Sequence, residues 1–106
     1  MRVDFGPLIP RFLERLNERL RRLEPVIEHV CRNQDAGTYD TAMREFHSLA
    51  GIGGTYGFHE ISRIAREGEL LIRKTILAAR PVDDTEAAVL RKVMSELETA
   101  RLKATT

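Results

Sequence analysis

A chain of 106 residues is long enough for one hydrophobic core and too short for two, so residues 1–106 are read as a single domain. Its 42% hydrophobic and 31% charged content is ordinary for a globular protein, and a net charge of +1 provides no global attraction to nucleic acid or to an anionic membrane. A single cysteine, Cys31, excludes an internal disulfide and a multi-cysteine metal site. Its expected role is that of a small apolar helix residue in a reducing compartment. No apolar run approaches the roughly 20 residues that span a bilayer. The first apolar residues are interrupted by Pro7, Pro10, Arg11, Glu14 and Arg15, which is not a secretory leader, so a cytoplasmic location is expected.

Residues 7–33 read as a long first helix. Ile9, Leu16, Leu23 and Val30 recur every seven residues, Leu13, Leu20 and Ile27 interleave with them, and Phe12 and Val26 widen the stripe. Pro10 suits a first turn, whereas Pro25 lies deep inside the pattern and predicts a kink or a split into two consecutive helices. The arginines at 11, 15, 19, 21 and 22 are interspersed with Glu14, Glu18, Glu24 and Glu28 and read as a solvated face. Asn33–Gly37 is a turn by composition, after which Thr38 or Asp40 is positioned to cap a second helix reaching about Tyr56, with Gly57 as its stop.

That second helix carries Tyr39, Ala42, Met43, Phe46, Leu49, Ala50, Gly53 and Tyr56 on one broad face. His47 falls about 100° round from Phe46, at the edge of the stripe, with Gly51 and Gly54 at roughly 140° and 80°. Three glycines, at 51, 53 and 54, each cost roughly 1 kcal/mol relative to alanine in a helix. Gly53 points at the core and permits close helix approach, but packing does not account for Gly51, which faces outward beside His47.

A third helix follows from about Phe58 to Ala79 with Ile61, Ile64, Ala65, Gly68, Leu71, Ile72, Thr75, Ile76 and Ala79 inward. Pro81–Thr85 is the next turn, offering Asp83, Asp84 or Thr85 as N-cap. The last helix runs to about Leu102 with Ala87, Leu90, Val93, Met94, Leu97 and Ala100 inward, and Lys103–Thr106 is expected to fray. No segment alternates as a strand. The fold expected is all-α, an antiparallel up-down four-helix bundle.

Several chemistries fail on spacing. No glutamate is followed three residues later by histidine, as a di-iron bundle requires, and His29, His47 and His59 lack zinc-hydrolase spacing, so no metal site is expected. Gly51-Ile52-Gly53-Gly54-Thr55-Tyr56-Gly57 follows a helix rather than a strand and lacks the Gly-Lys-Ser/Thr of a P-loop, which leaves no nucleotide site. Ser48 points about 100° away from His47 and is not a hydrolase nucleophile. His29 and His59 read as structural or solvated. What remains is His47 as the nucleophile itself, since a neutral imidazole accepts and releases a phosphoryl group near pH 7. Arg44, one turn earlier, is the candidate cation for the phosphoryl oxygens.

The stretch His47-x-Leu49-x-Gly51-x-Gly53, followed by Tyr56-Gly57, Ile61, Ala65 and Glu69, resembles the signature of the histidine-containing phosphotransfer (HPt) domains of two-component phosphorelays. The motif spans about 23 residues, and the four-helix pattern extends the resemblance over nearly the whole chain. It implies a phosphorelay carrier, not an enzyme with its own nucleotide site, in which His47 is phosphorylated on Nε2. Glu69 would orient the imidazole through Nδ1. A receiver domain or hybrid histidine kinase would dock over Gly51, Gly54, Phe58 and Ala50. No cofactor is implied for the chain, Mg²⁺ residing on the receiver, and neither nucleic acid nor membrane is a partner. A monomer is expected, although the heptad of helix one also suits a dimerising bundle. One departure stands out: Ala50 occupies the family's lysine position, which opens the alternative of a degenerate, non-phosphorylated module that docks a receiver or other signalling partner.

Overall fold

The computed structural model describes residues 6–32 and 36–105. A single 3₁₀ turn, Gly6–Leu8, leads into four α-helices: α1 (Ile9–Cys31), α2 (Ala36–Thr55), α3 (His59–Leu77) and α4 (Asp84–Ala104). They pack as a ring, α1 and α3 each lying against both α2 and α4. With three residues joining α2 to α3 and six joining α3 to α4, this is the up-down four-helix bundle.

The core is the apolar stripe of each helix. Phe12, Leu16, Leu20, Leu23, Ile27 and Val30 of α1 meet Tyr39, Ala42, Phe46, Leu49 and Ala50 of α2. Ile61, Ile64, Ala65 and Ile72 of α3 and Ala87, Leu90, Val93, Leu97 and Ala100 of α4 close the other half. The expected split at Pro25 does not occur, and α1 runs through it as one helix. Pro25 and Arg21, whose carbonyl loses its helical donor to the proline, both face solvent. Water can therefore replace the missing hydrogen bond, while Leu23 and Ile27 hold the buried face on either side.

Other boundaries also move. Helix α2 begins at Ala36, so Thr38 and Asp40 lie inside its first turns instead of capping it. Residues 33–35 of the expected turn lie outside the described residues. The end of α2 is as read: Gly57 adopts φ +85°, its N–H bonds to the Gly54 carbonyl at 3.2 Å, and the Phe58 N–H bonds to that of Gly53 at 2.8 Å. This is a Schellman closure, with glycine where a side chain would be strained. Helix α3 stops at Leu77, and Ala79 turns to φ 52°. Ala79 consequently faces solvent, and Ile76 in the last turn of α3 is also exposed, not inward as their spacing suggested. Helix α4 extends through Lys103 to Ala104.

The α3–α4 connection is tied twice. Asp83 caps α4 in a reciprocal box with Glu86, and Arg80 holds Glu86 bidentately at 2.6 and 2.9 Å, drawing that carboxyl down to about 2. The buried Tyr39 hydroxyl accepts the Val82 N–H at 3.0 Å and donates to the Val30 carbonyl at 3.4 Å, joining this loop to α1 and α2.

Helices α2 and α3 make the most extensive contact in the ring. Small residues permit it. A Cβ on Gly68 would lie 2.7 Å from two ring carbons of Phe46, and one on Gly53 would lie 3.3 Å from the Ser62 nitrogen. Phe46 is fully buried, so its ring has nowhere to retreat. Gly68→Ala should therefore destabilise the fold by about 1–3 kcal/mol, despite alanine's better helix propensity. Chemical denaturation checks this; a neutral or stabilising outcome would show that the α2–α3 spacing is not set there.

Candidate functional site

The close approach of α2 and α3 places His47 and Glu69 opposite each other. His47 lies at the border of the apolar face, and its side chain is 73% exposed. Glu69 comes from the buried side of α3 and its side chain is only 7% exposed. The two meet at 2.8 Å between Nδ1 and Oε2. The same oxygen accepts a hydrogen bond from Arg73, one turn along α3, also at 2.8 Å.

The charge state follows from these neighbours. Burial pushes the Glu69 carboxyl up, but the hydrogen bonds and charges of Arg73 and His47 outweigh it and hold the group below the usual carboxylate range. An ionised carboxylate only accepts hydrogen bonds. Nδ1 must therefore carry the proton, and in the neutral ring the lone pair is left on Nε2, the nitrogen away from the carboxylate. The arrangement yields an accessible imidazole of fixed tautomer and fixed orientation.

Around this pair lies bare backbone. A Cβ on Gly51 would meet nothing within 4 Å, and one on Gly54 would make only ordinary contact with the Ser62 hydroxyl at 3.5 Å. Ser62 in turn donates to the Ala50 carbonyl at 2.7 Å, holding α3 against this stretch of α2. Unlike Gly53, Gly57 and Gly68, Gly51 answers no demand of the fold. It is exposed on the ridge one turn beyond His47.

Of the residues expected on the docking surface, one is buried and another half-buried. Ala50 is 3% exposed and belongs to the core. Phe58 is half-buried, its ring stacked on Phe12 at a centroid distance of 5.4 Å, because the Schellman turn folds it back over α1. Gly51 and Gly54 remain on the surface. Arg44 is exposed and pairs with Asp40, one turn away from His47 along α2. The cation brought to the His47–Glu69 pair is instead Arg73, which the sequence reading did not single out. Its signal was available as the i,i+4 spacing from Glu69. Arg19 is a second such residue, bridging from α1 to Ser48 at 2.8 Å and Glu45 at 3.2 Å. His59 and His29 are exposed and lie outside the cluster.

Replacing Glu69 tests the tautomer directly. In the wild type the ¹⁵N shifts of neutral His47 should show a protonated Nδ1 and an unprotonated Nε2. Glu69→Ala should abolish that preference and Glu69→Gln, which keeps an acceptor oxygen, should retain it. An unchanged pattern in the alanine variant would mean that something else sets the tautomer.

Among the described residues there is no group of acidic, histidine and cysteine side chains able to hold a metal, and no helix is long and apolar enough to cross a membrane. Comparison with known proteins gives one clear result. A family model for the Hpt domain matches residues 7–100, from the turn before α1 to near the end of α4. Neither the curated proteins nor the solved structures return a match. The family match spans most of the chain, and the four-helix bundle agrees with it. The chain belongs to the Hpt domain family, whose members carry phosphoryl groups in two-component phosphorelays through contacts with receiver domains and histidine kinases.

Proposed function

We propose that His47 is the phosphoacceptor of this Hpt domain. Its Nε2 lone pair attacks the phosphorus of a receiver's aspartyl phosphate; an N–P bond forms, the acyl P–O bond breaks, and the aspartate leaves as carboxylate. The reverse displacement passes the group on. The observation that carries this reading is the exposed imidazole anchored through Nδ1 to a buried, ionised Glu69. The proton stays on Nδ1, hydrogen-bonded to the Glu69 carboxylate throughout, so the imidazole keeps an anionic partner for the positive charge that develops when Nε2 is phosphorylated. Mg²⁺ is expected only on the receiver, and this chain needs no cofactor of its own.

Arg73 has two roles in this scheme. It keeps Glu69 ionised, and its exposed guanidinium offers further donors beside the imidazole. It supplies positive charge in a domain whose family lysine is Ala50 and whose Arg44 is engaged by Asp40. Receiver domains or hybrid histidine kinases dock on the ridge of His47, Gly51 and Gly54, where the absent side chains let another backbone come close.

His47→Gln tests the chemistry. Wild type incubated with phosphoramidate should give an acid-labile phosphohistidine signal by ³¹P NMR, and the variant should give none. A signal that survives would place the acceptor elsewhere. Loss of transfer with receiver binding retained in both proteins, and no label even in wild type, would instead favour a docking module without phosphorylation.

Gly51→Ala separates packing from docking. The added methyl enters open space, so the isolated domain should gain up to about 1 kcal/mol of stability from helix propensity, while transfer to a receiver slows. A loss of stability, or transfer at the wild-type rate, would remove Gly51 from the docking surface.

A further inference from the structure

Spacing alone reads the arginines of α1 as a solvated face, but the bundle gives them a location. Arg11, Arg15, Arg19 and Arg22 recur at three- and four-residue steps and so share one side of α1. That side borders a groove of about 490 Å³ between α1 and α2, floored by Phe12, Ile52 and Tyr56 and reaching Leu8. Among the described residues Glu18 is the one carboxylate along it. Arg19 is engaged by Glu45 and Ser48. Arg11, Arg15 and Arg22 make no ion pair among the described residues, in contrast to Arg63, Arg73, Arg80, Arg91 and Arg101, which all do. Three cations without an ion-pair partner among the described residues thus lie along one concave, partly apolar strip.

The groove is continuous with the phosphoacceptor ridge. Ile52 follows Gly51, and Arg19 bonds to Ser48, the residue next to His47. His47 faces α3 while Ser48 faces α1, so a partner seated over Gly51 has the groove on its other flank. From this we infer that the α1–α2 groove is a second half of the docking surface and receives an acidic, amphipathic segment of the partner protein. An apolar side chain of that segment rests on Ile52 and Tyr56, and its flanking carboxylates face Arg11, Arg15 and Arg22. The inference rests on the carrier reading of His47 and adds to it what selects the partner. Nucleic acid fits the groove less well, because a phosphate backbone offers nothing to its apolar floor. A lipid surface is too flat for a concave strip.

Steering by these charges acts on encounter more than on chemistry, and salt screens it. The test uses the full chain and the double variant Arg15→Glu/Arg22→Glu, which removes no intramolecular ion pair. Both are labelled with phosphoramidate and then mixed with a panel of receiver domains at low and at high salt. Labelling of His47 should be equal in the two proteins. Transfer from the variant should be about tenfold slower at low salt, and the difference should shrink at high salt. Equal labelling with equal transfer rates would overturn the groove assignment and leave the carrier reading intact. Failure to label either protein would instead count against the carrier reading. In that case titration of the unphosphorylated receivers against both proteins decides the groove, equal affinities overturning it. Tighter binding of duplex DNA or anionic vesicles than of any receiver, lost in the variant, would also overturn the assignment to a protein partner.

Discussion

The site depends on how closely α2 and α3 approach, and that distance is set by one packing contact. The Phe46 ring lies over the bare backbone of Gly68. Phe46 adjoins His47 in sequence and Gly68 adjoins Glu69, so the buried pair and the His47–Glu69 pair are consecutive rungs of the same helix–helix contact. Seating an aromatic ring on a glycine brings the next residues within 2.8 Å of each other. A close-packed interior does not absorb an extra methyl there without moving the helices apart. Core packing and site geometry are therefore one constraint.

The second determinant is the environment of Glu69. A buried carboxylate is costly unless its charge is compensated. Here Arg73 and His47 both donate to one oxygen, and together they keep the group ionised against the opposing effect of burial. The consequence is transmitted outward: an acceptor-only partner assigns the proton to Nδ1 and leaves Nε2 for chemistry. Arg73 acts on the imidazole through Glu69. This division of labour lets a half-exposed arginine influence the ring without covering it.

Helix α2 has two faces beside the core. One carries His47, Gly51 and Gly54 against α3, where a Cβ on Gly51 would meet open space and one on Gly54 only the Ser62 hydroxyl. The other carries Ser48, Ile52 and Tyr56 along the arginine stripe of α1. The first suits close backbone approach and phosphoryl transfer, the second an electrostatic choice of partner. Their separation by a single residue step allows chemistry and specificity to be tuned by different substitutions.

Local signals in the sequence determined the helices, a cap among Asp83, Asp84 and Thr85, the stop at Gly57 and the angular position of His47, because amphipathic period, capping chemistry and glycine conformation are properties of a few neighbouring residues. The pairing of His47 with Glu69 was legible only through family resemblance, since they stand 22 positions apart with a helix reversal between them. Tertiary structure decided the rest. It folded Phe58 onto Phe12, brought Arg19 of α1 to Ser48 of α2, and set Glu69 with its Arg73 beside His47. It also carried α1 unbroken through Pro25. Each of these outcomes depends on which helix lies opposite, and at what distance, and helical periodicity alone does not encode that.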